Sequence, residues 1–219
     1  MLTCKELFDL SHSQAGTRLQ ALTYPHEALA HIGAWITEIG AALDSERYEH
    51  PAEDVWIAKS AKVAPSASIT GPCIIGEDTE VRHCAFIRGN ALIGDGCVVG
   101  NSTELKNVIL FDGVQVPHYN YVGDSILGYR SHMGAGSITS NVKGDKSLVV
   151  IKNGDERIET GRKKVGAMLG DFAEIGCGCV LNPGTVIGPR TQVYPLTSVR
   201  GVLPPDSICK DKDTVVQKK

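Results

Sequence analysis

Residues 55–105 read VWIAKSAKVAPSASITGPCIIGEDTEVRHCAFIRGNALIGDGCVVGNSTEL. One aliphatic residue returns every six positions: Ile57, Val63, Ile69, Ile75, Val81, Ile87, Ile93, Val99 and Leu105, with Phe111 in the next slot. The beat resumes further on as Leu169, Ile175, Leu181, Ile187, Val193 and Val199. Six matches neither the 3.6-residue period of a helix nor the alternation of a strand, so the pattern is an internal repeat. Gly often follows the aliphatic (Gly76, Gly94, Gly100, Gly170, Gly176, Gly188), and the slot four positions after it is small, as at Ala61, Ala67, Cys73, Ala85 and Cys97. Each unit therefore reads as one short strand and one tight corner. Three units make a turn of a triangular prism whose turns bury their inner face only against one another.

Composition narrows the function classes. The chain has 219 residues, and 22 Lys and Arg against 25 Asp and Glu give a formal charge of −3, so electrostatics offers no case for nucleic acid or an anionic membrane as partner. No apolar stretch is long enough to span a bilayer, and MLTCKELFDL lacks the basic-then-apolar design of a signal peptide. The seven cysteines are odd in number and lack paired spacing, which points to a reduced, cytoplasmic protein. Cys177 and Cys179 form a CxC that fits a metal site in principle. Their place inside a regular repeat, with no second ligand pair, favours compact buried hydrophobes.

The chain divides into a helical N-terminal segment and linker (1–54), a β-helix (55–205) interrupted by a loop (140–164), and a Lys-rich tail (206–219) read as mobile. In the first part Leu29, Ile32, Ile36, Ile39 and Leu43 recur at helical spacing after Pro25, and Lys5 to Leu10 adds a shorter helix. This segment is expected to cap the open end of the prism, with a docking surface or a lid over a site as the alternatives. In the loop, LVVIKNGDERI reads as a hairpin with Asn153-Gly154 at its turn.

The polar residues that can carry chemistry gather where the beat slips. His118, followed by Tyr119 and Tyr121, is suited to accept a proton near neutral pH. Arg88 and Lys106 can hold an anion such as a phosphate, or can be solvated surface charges. Spacing alone does not set the separation of Lys106 from His118. Glu104 can hold the Lys106 ammonium or orient the histidine. The Gly134-Ala135-Gly136 run admits a ligand close to backbone N–H groups.

The runs NSTELKN (101–107), VPHYNYVGDS (116–125), MGAGSITSN (133–141) and GRKKVGA (161–167) resemble the acetyltransferase half of bifunctional sugar-1-phosphate nucleotidylyltransferase/acetyltransferases. These are the glucosamine-1-phosphate acetyltransferase/UDP-N-acetylglucosamine pyrophosphorylase family, and the archaeal-type sugar-1-phosphate enzymes are more similar still. The resemblance covers about residues 55–205 and implies a mainly β fold, a left-handed parallel β-helix of hexapeptide repeats. It implies acetyl-CoA as co-substrate without a metal, and His118 as the base that takes a proton from a sugar amine. Arg88 and Lys106 would hold a sugar phosphate; Tyr121, Asn141 and Lys146 would contact the sugar. Ala135, Ala167 and Lys210 would border the coenzyme. His132 stands where the family has a sugar-binding Asn, Val142 replaces a Tyr, and Ala167 replaces a Ser, which bears on the choice of sugar.

The family's nucleotidyltransferase signature, a Gly-rich loop with Thr, Arg and a downstream Lys, has no counterpart in residues 1–50, so uridylyl transfer by this chain alone is not expected. The resemblance further implies a homotrimer with sites between prisms and the 140–164 loop reaching a neighbour. The alternative is a non-catalytic β-helix serving as scaffold for a separate sugar nucleotidyltransferase. A third reading keeps the acyltransferase but gives it another acceptor.

Overall fold

The six-residue beat becomes three stacks of short parallel strands that form the faces of a prism. The computed structural model describes residues 2–218. The first face stacks Val55–Ala58, Cys73–Ile75, Ala91–Ile93, the second half of Glu104–Leu110, the second half of Tyr121–Leu127, Ala167–Leu169, Thr185–Ile187 and Val202–Leu203. The second face runs from Lys62–Val63 to Ser207–Cys209, and the third from Ser68–Thr70 to Ser198–Val199. Glu104–Leu110 and Tyr121–Leu127 each turn a corner, so their first halves belong to the third face.

Ladder partners show where the period varies. On the first face Ile57, Ile75, Ile93, Leu110, Leu127, Leu169, Ile187 and Leu203 stack in one inward column. Leu110, not Phe111, therefore takes the slot after Leu105. Phe111 is fully buried at the corner instead, its ring 4.9 Å from that of Phe8. The beat also persists through Val116, Val122, Leu127 and Met133, so the true interruption is shorter than the sequence suggested. The steps from first to second face and from second to third face always take six residues. Only the corner from third to first face varies. It takes six residues from Ile87 to Ile93, five from Leu105 to Leu110 and from Val122 to Leu127, and four from Val199 to Leu203. From Thr139 to Leu169 it takes thirty, which is the expected excursion.

The outward residues of the first face are apolar too. Ile74, Leu92, Ile109, Ile126, Met168 and Val186 are all buried, whereas the other faces alternate. The N-terminal segment covers Ile74, Leu92, Ile109 and Ile126, which corrects its expected place over the prism's end. It comprises Cys4–Leu7, Gly16–Gln20, Ile32–Ala41 and the 3₁₀ turns Leu10–His12 and Pro25–Ala30. Ile32–Ala41 lies across the strands beginning at Cys73, Ala91 and Glu104. Gly40 rests on the Trp56 ring, where a Cβ has no room. The physical reason is area: a flank of large aliphatics gains about 1.5–3 kcal/mol per fully covered side chain, more than one strand edge can return. The end of the prism is met instead by Tyr48–Ala52, part of the expected linker, paired antiparallel with Val55–Ala58.

Two further expectations change. The excursion folds back on its own prism. Val150–Asn153 and Glu156–Glu159 form the foreseen hairpin, with Gly154 and Asp155 as its turn residues, and Val149 and Ile151 are buried beside Gly184. Residues 144–148 stay exposed. The tail forms a strand, Val215–Gln217, antiparallel to Ser207–Cys209, which closes the second face; Lys219 lies outside the described residues.

All seven cysteines are free. Burial pushes the thiols of Cys4, Cys73 and Cys97 up to about 12 and raises those of Cys179 and Cys209, while Cys84 and Cys177 are exposed. Since the thiolate is the reacting form, Ellman titration of the native chain is expected to find two fast thiols and, in denaturant, seven. A third fast thiol under native conditions would contradict the packing of the ladder.

Candidate active site

Lys106, Tyr121 and Asn141 converge through a residue the sequence reading passed over, Asp124. Its carboxylate is 2% exposed. Oδ1 accepts from Asn107 Nδ2 at 2.9 Å and stands 3.7 Å from the Lys106 Nζ, and Oδ2 accepts from Asn141 Nδ2 at 2.6 Å. Asn141 Nδ2 also lies 3.2 Å from the Tyr121 hydroxyl, whose pKa burial pushes up. Asp124 occupies the variable corner with φ 49°, below Asn107 (φ 55°) and Asn90 (φ 50°). A left-handed corner favours Asn and Asp among non-glycine residues. An Asn-Asn-Asp column spaced by 17 residues was therefore a signal available in the sequence.

Arg88 is one rung away on the third face, where its guanidinium donates to Glu104 Oε1 at 2.6 Å. Glu104 is thereby committed to Arg88, and Lys106 has Asp124. Neither of the two roles that spacing left open for Glu104 is the one it takes.

His118 lies at the opposite edge of that face, as the last residue of Gln115–His118. Its side chain is exposed, and among the described residues its ring makes no hydrogen bond. The backbone there is firmly held. His118 N–H donates to Asn120 Oδ1 (3.1 Å), and the buried Asn120 amide donates to the Gly134 and Ser137 carbonyls (2.9 and 3.0 Å). Successive rungs of this edge are linked by Tyr119 N–H to Asn101 O, Gly136 N–H to His118 O, Gly178 N–H to Ala135 O and Leu196 N–H to Cys177 O, at 2.8–3.0 Å. His118, Ala135 and Cys177 therefore stand in one column at about 4.8 Å per rung. A groove of about 280 Å³ opens beside this column on the second face, lined by His132, Gly134, Glu174, Gly176, Cys177 and Tyr194 among others. Lys210 is in line with it, one rung beyond Tyr194.

Of the other expected residues, His132 lines this groove, and Lys146 and Ala167 stand apart from both groups. His132 is on the second face, its Nδ1 2.9 Å from Glu174 Oε2. Lys146 is exposed in a turn of the excursion, closed by its N–H to Lys143 O at 2.9 Å. Ala167 is fully buried on the first face, where its N–H donates to Ser125 Oγ. A single chain thus carries two groups, a cluster of cationic, hydroxyl and amide side chains at one edge of the third face and His118 at the other, with a groove beside it on the second face. No group of three or more His, Cys, Asp and Glu among the described residues is arranged to hold a metal, and no helix is long and apolar enough to cross a membrane.

The chain resembles known proteins over most of its length. The family model for the GMPPB C-terminal domain matches residues 69–153. The chain is 31% identical over 205 residues to bifunctional protein GlmU of Methanococcus aeolicus, covering 85% of this chain and 49% of that protein. It is 30% identical over 156 residues to the putative uncharacterized acetyltransferase YaiX of Escherichia coli, covering 71% of this chain and 68% of that one. Among solved structures, the acetyltransferase domain of PglB from Neisseria gonorrhoeae, in complex with acetyl coenzyme A, aligns at a TM-score of 0.39 and 17% identity over 71% of this chain and 53% of that one. The chain belongs to the hexapeptide-repeat acetyltransferases and is related to the acetyltransferase part of GlmU-type bifunctional sugar-1-phosphate enzymes. It spans about half or less of the bifunctional relatives it matches.

Proposed function

We infer that the chain transfers an acetyl group from acetyl-CoA to the amine of an amino-sugar 1-phosphate, glucosamine 1-phosphate first among them, in nucleotide-sugar synthesis of the UDP-N-acetylglucosamine type. The observation that carries this is the third face, where Arg88, Lys106, Tyr121 and Asn141 form one polar surface on the face that begins just after His118. The cations suit a phosphate, and the hydroxyl and amide suit sugar hydroxyls.

The sugar amine attacks the thioester carbonyl, forming the C–N bond as the His118 ring takes the amine proton. The Ala135 N–H, which has no acceptor among the described residues while those of Gly134 and Gly136 are already donated to Ile175 O and His118 O, can stabilise the oxyanion. The C–S bond then breaks and CoA leaves as a thiol after accepting a proton. The groove along Gly134, Cys177 and Tyr194, beside Ala135, suits the pantetheine arm, with Lys210 one rung beyond it near the nucleotide phosphates. Separation of the two groups across one face fits a homotrimer in which edges of neighbouring prisms complete each site, with His132 joining the sugar site from another chain. The chain is expected to work in the cytoplasm. A scaffold for a separate nucleotidyltransferase has less support, because the bifunctional relatives carry both activities in one chain by name.

One experiment tests this reading on two readouts. Saturating acetyl-CoA should raise the melting temperature and protect Cys177, but not Cys84, from thiol reagents, and CoA should be released with glucosamine 1-phosphate as acceptor. No thermal shift, no protection and no transfer to a panel of amino-sugar phosphates would sink it.

A further inference from the structure

Beside Lys106, at the variable corner, a cavity of about 630 Å³ opens between the prism, residues 161–164 of the excursion and the N-terminal segment at Leu29–Ala30. Four cationic side chains line it, Lys106, Arg162, Lys163 and Lys164, against the single carboxylate of Asp124, which already serves Asn107, Asn141 and Lys106. Arg162 is the informative member. Arg18, Arg47, Arg82, Arg88 and Arg190 each lie within 3.1 Å of a carboxylate. Arg162 has no ion pair among the described residues. Its Nε is buried without an acceptor, and its NH2 reaches only the Leu29 carbonyl at 3.4 Å. A buried guanidinium nitrogen with no acceptor is costly, and an anion removes the cost.

The strand ends around it are tied down. Val149 N–H donates to Arg162 O (2.8 Å), Val165 N–H to Asn141 O (3.0 Å) and Gly166 N–H to Asp124 O (2.8 Å), and Val142 bridges Lys164. Asn107 Nδ2 donates to Leu29 O at 3.2 Å, so the N-terminal wall is fastened to the same corner.

We propose that this cavity holds the phosphate of the acceptor, a phosphomonoester gripped between Lys106 and the Arg162 fork, with Lys163 and Lys164 completing the charge and Leu29–Ala30 limiting the size of the group esterified to it. The proposal rests on the reading of the chain as a transferase acting on a phosphorylated sugar. It adds residues of the excursion and of the N-terminal segment to the binding site. A guanidinium meets a phosphate through two parallel N–H bonds, which sets orientation as well as affinity. The groove assigned to the coenzyme lies on the second face, beside the other edge of the third, so the cofactor's phosphates are not the expected occupants.

Titration calorimetry on the full chain with inorganic phosphate, glucose 1-phosphate and adenosine 3′,5′-bisphosphate tests it without turnover. The wild type should bind the first two, and Arg162→Gln should weaken glucose 1-phosphate by roughly tenfold or more with an unchanged melting temperature. Should Arg162→Gln fail to fold, Lys163→Gln/Lys164→Gln, both at exposed positions, carries the test with the same direction of effect. The His118→Ala chain should bind glucose 1-phosphate as the wild type does, so loss of acetyl transfer and loss of phosphate binding are read separately. Equal affinity in wild type and variants, no phosphate binding by the wild type, or loss of the bisphosphate in place of glucose 1-phosphate would each overturn the assignment.

Discussion

His118→Ala is expected to lower the turnover of acetyl transfer by roughly 100- to 10,000-fold, the usual worth of a positioned general base. The fold should not register the change. The imidazole is exposed and makes no hydrogen bond among the described residues, while the corner is held by the His118 backbone and the Asn120 amide. Thermal denaturation should superpose on that of the wild type, and Km for acetyl-CoA should move little, since His118 does not line the groove assigned to the coenzyme. CoA release must be followed with a reagent blind to the exposed Cys84 and Cys177, or after these are blocked. A rate within threefold of wild type would remove His118 from the mechanism, whatever the acceptor.

Asp124→Ala should be the most damaging single change at the other group. It strips an acceptor from the buried Asn107 amide and the half-buried Asn141 amide, and leaves the Lys106 ammonium without its counter-charge. Breaking one side of a fully buried ion pair costs about 3–5 kcal/mol; because the Lys106 side chain is 30% exposed and can be solvated, the loss here should be about 1–3 kcal/mol. The left-handed backbone at φ 49° adds strain for alanine that aspartate tolerates better. Urea denaturation reads the loss directly. Asp124→Asn keeps the corner conformation and one oxygen, so it should fold and show the functional part alone, a raised Km for the phosphorylated acceptor with kcat less affected. A loss under about 1 kcal/mol in the alanine variant, the worth of one ordinary hydrogen bond, would mean that Asp124 is not the hub the distances suggest.

The architecture was written in the sequence because a six-residue aliphatic beat admits few solutions, and its inward columns are those the ladder uses, from Ile57 to Leu105 and from Leu169 to Val199. Phe111 misled because the corner before it is a residue short, a slip of one that single-chain periodicity cannot distinguish from a substitution. The N-terminal segment was misplaced for a different reason. Its own apolar positions were evident, but what they cover depended on doubled aliphatics, Ile74-Ile75, Leu92-Ile93, Ile109-Leu110 and Ile126-Leu127. These recur rung after rung on the first face and mark a strand with no wet side, whereas the other faces hold only isolated pairs such as Val98-Val99 and Val180-Leu181. In the site, residue types pointed to Arg88, Lys106, His118, Tyr121 and Asn141. Pairings did not follow, because they depend on which side of a corner each side chain leaves, and Glu104 and Asp124 exchange partners accordingly.

The constancy of two corners and the freedom of the third amount to a division of labour in how such a chain can change over generations. At the two fixed edges any gain or loss of a residue would throw every later rung out of step and turn inward side chains outward. At the third edge the chain has already shortened its step more than once and accepted a long detour, and the inward columns carry on in register. Lys106, Asp124, Asn141 and Arg162 all lie on or beside that edge. New lengths and new side chains can therefore be tried against a ligand there while the rest of the molecule keeps its metre.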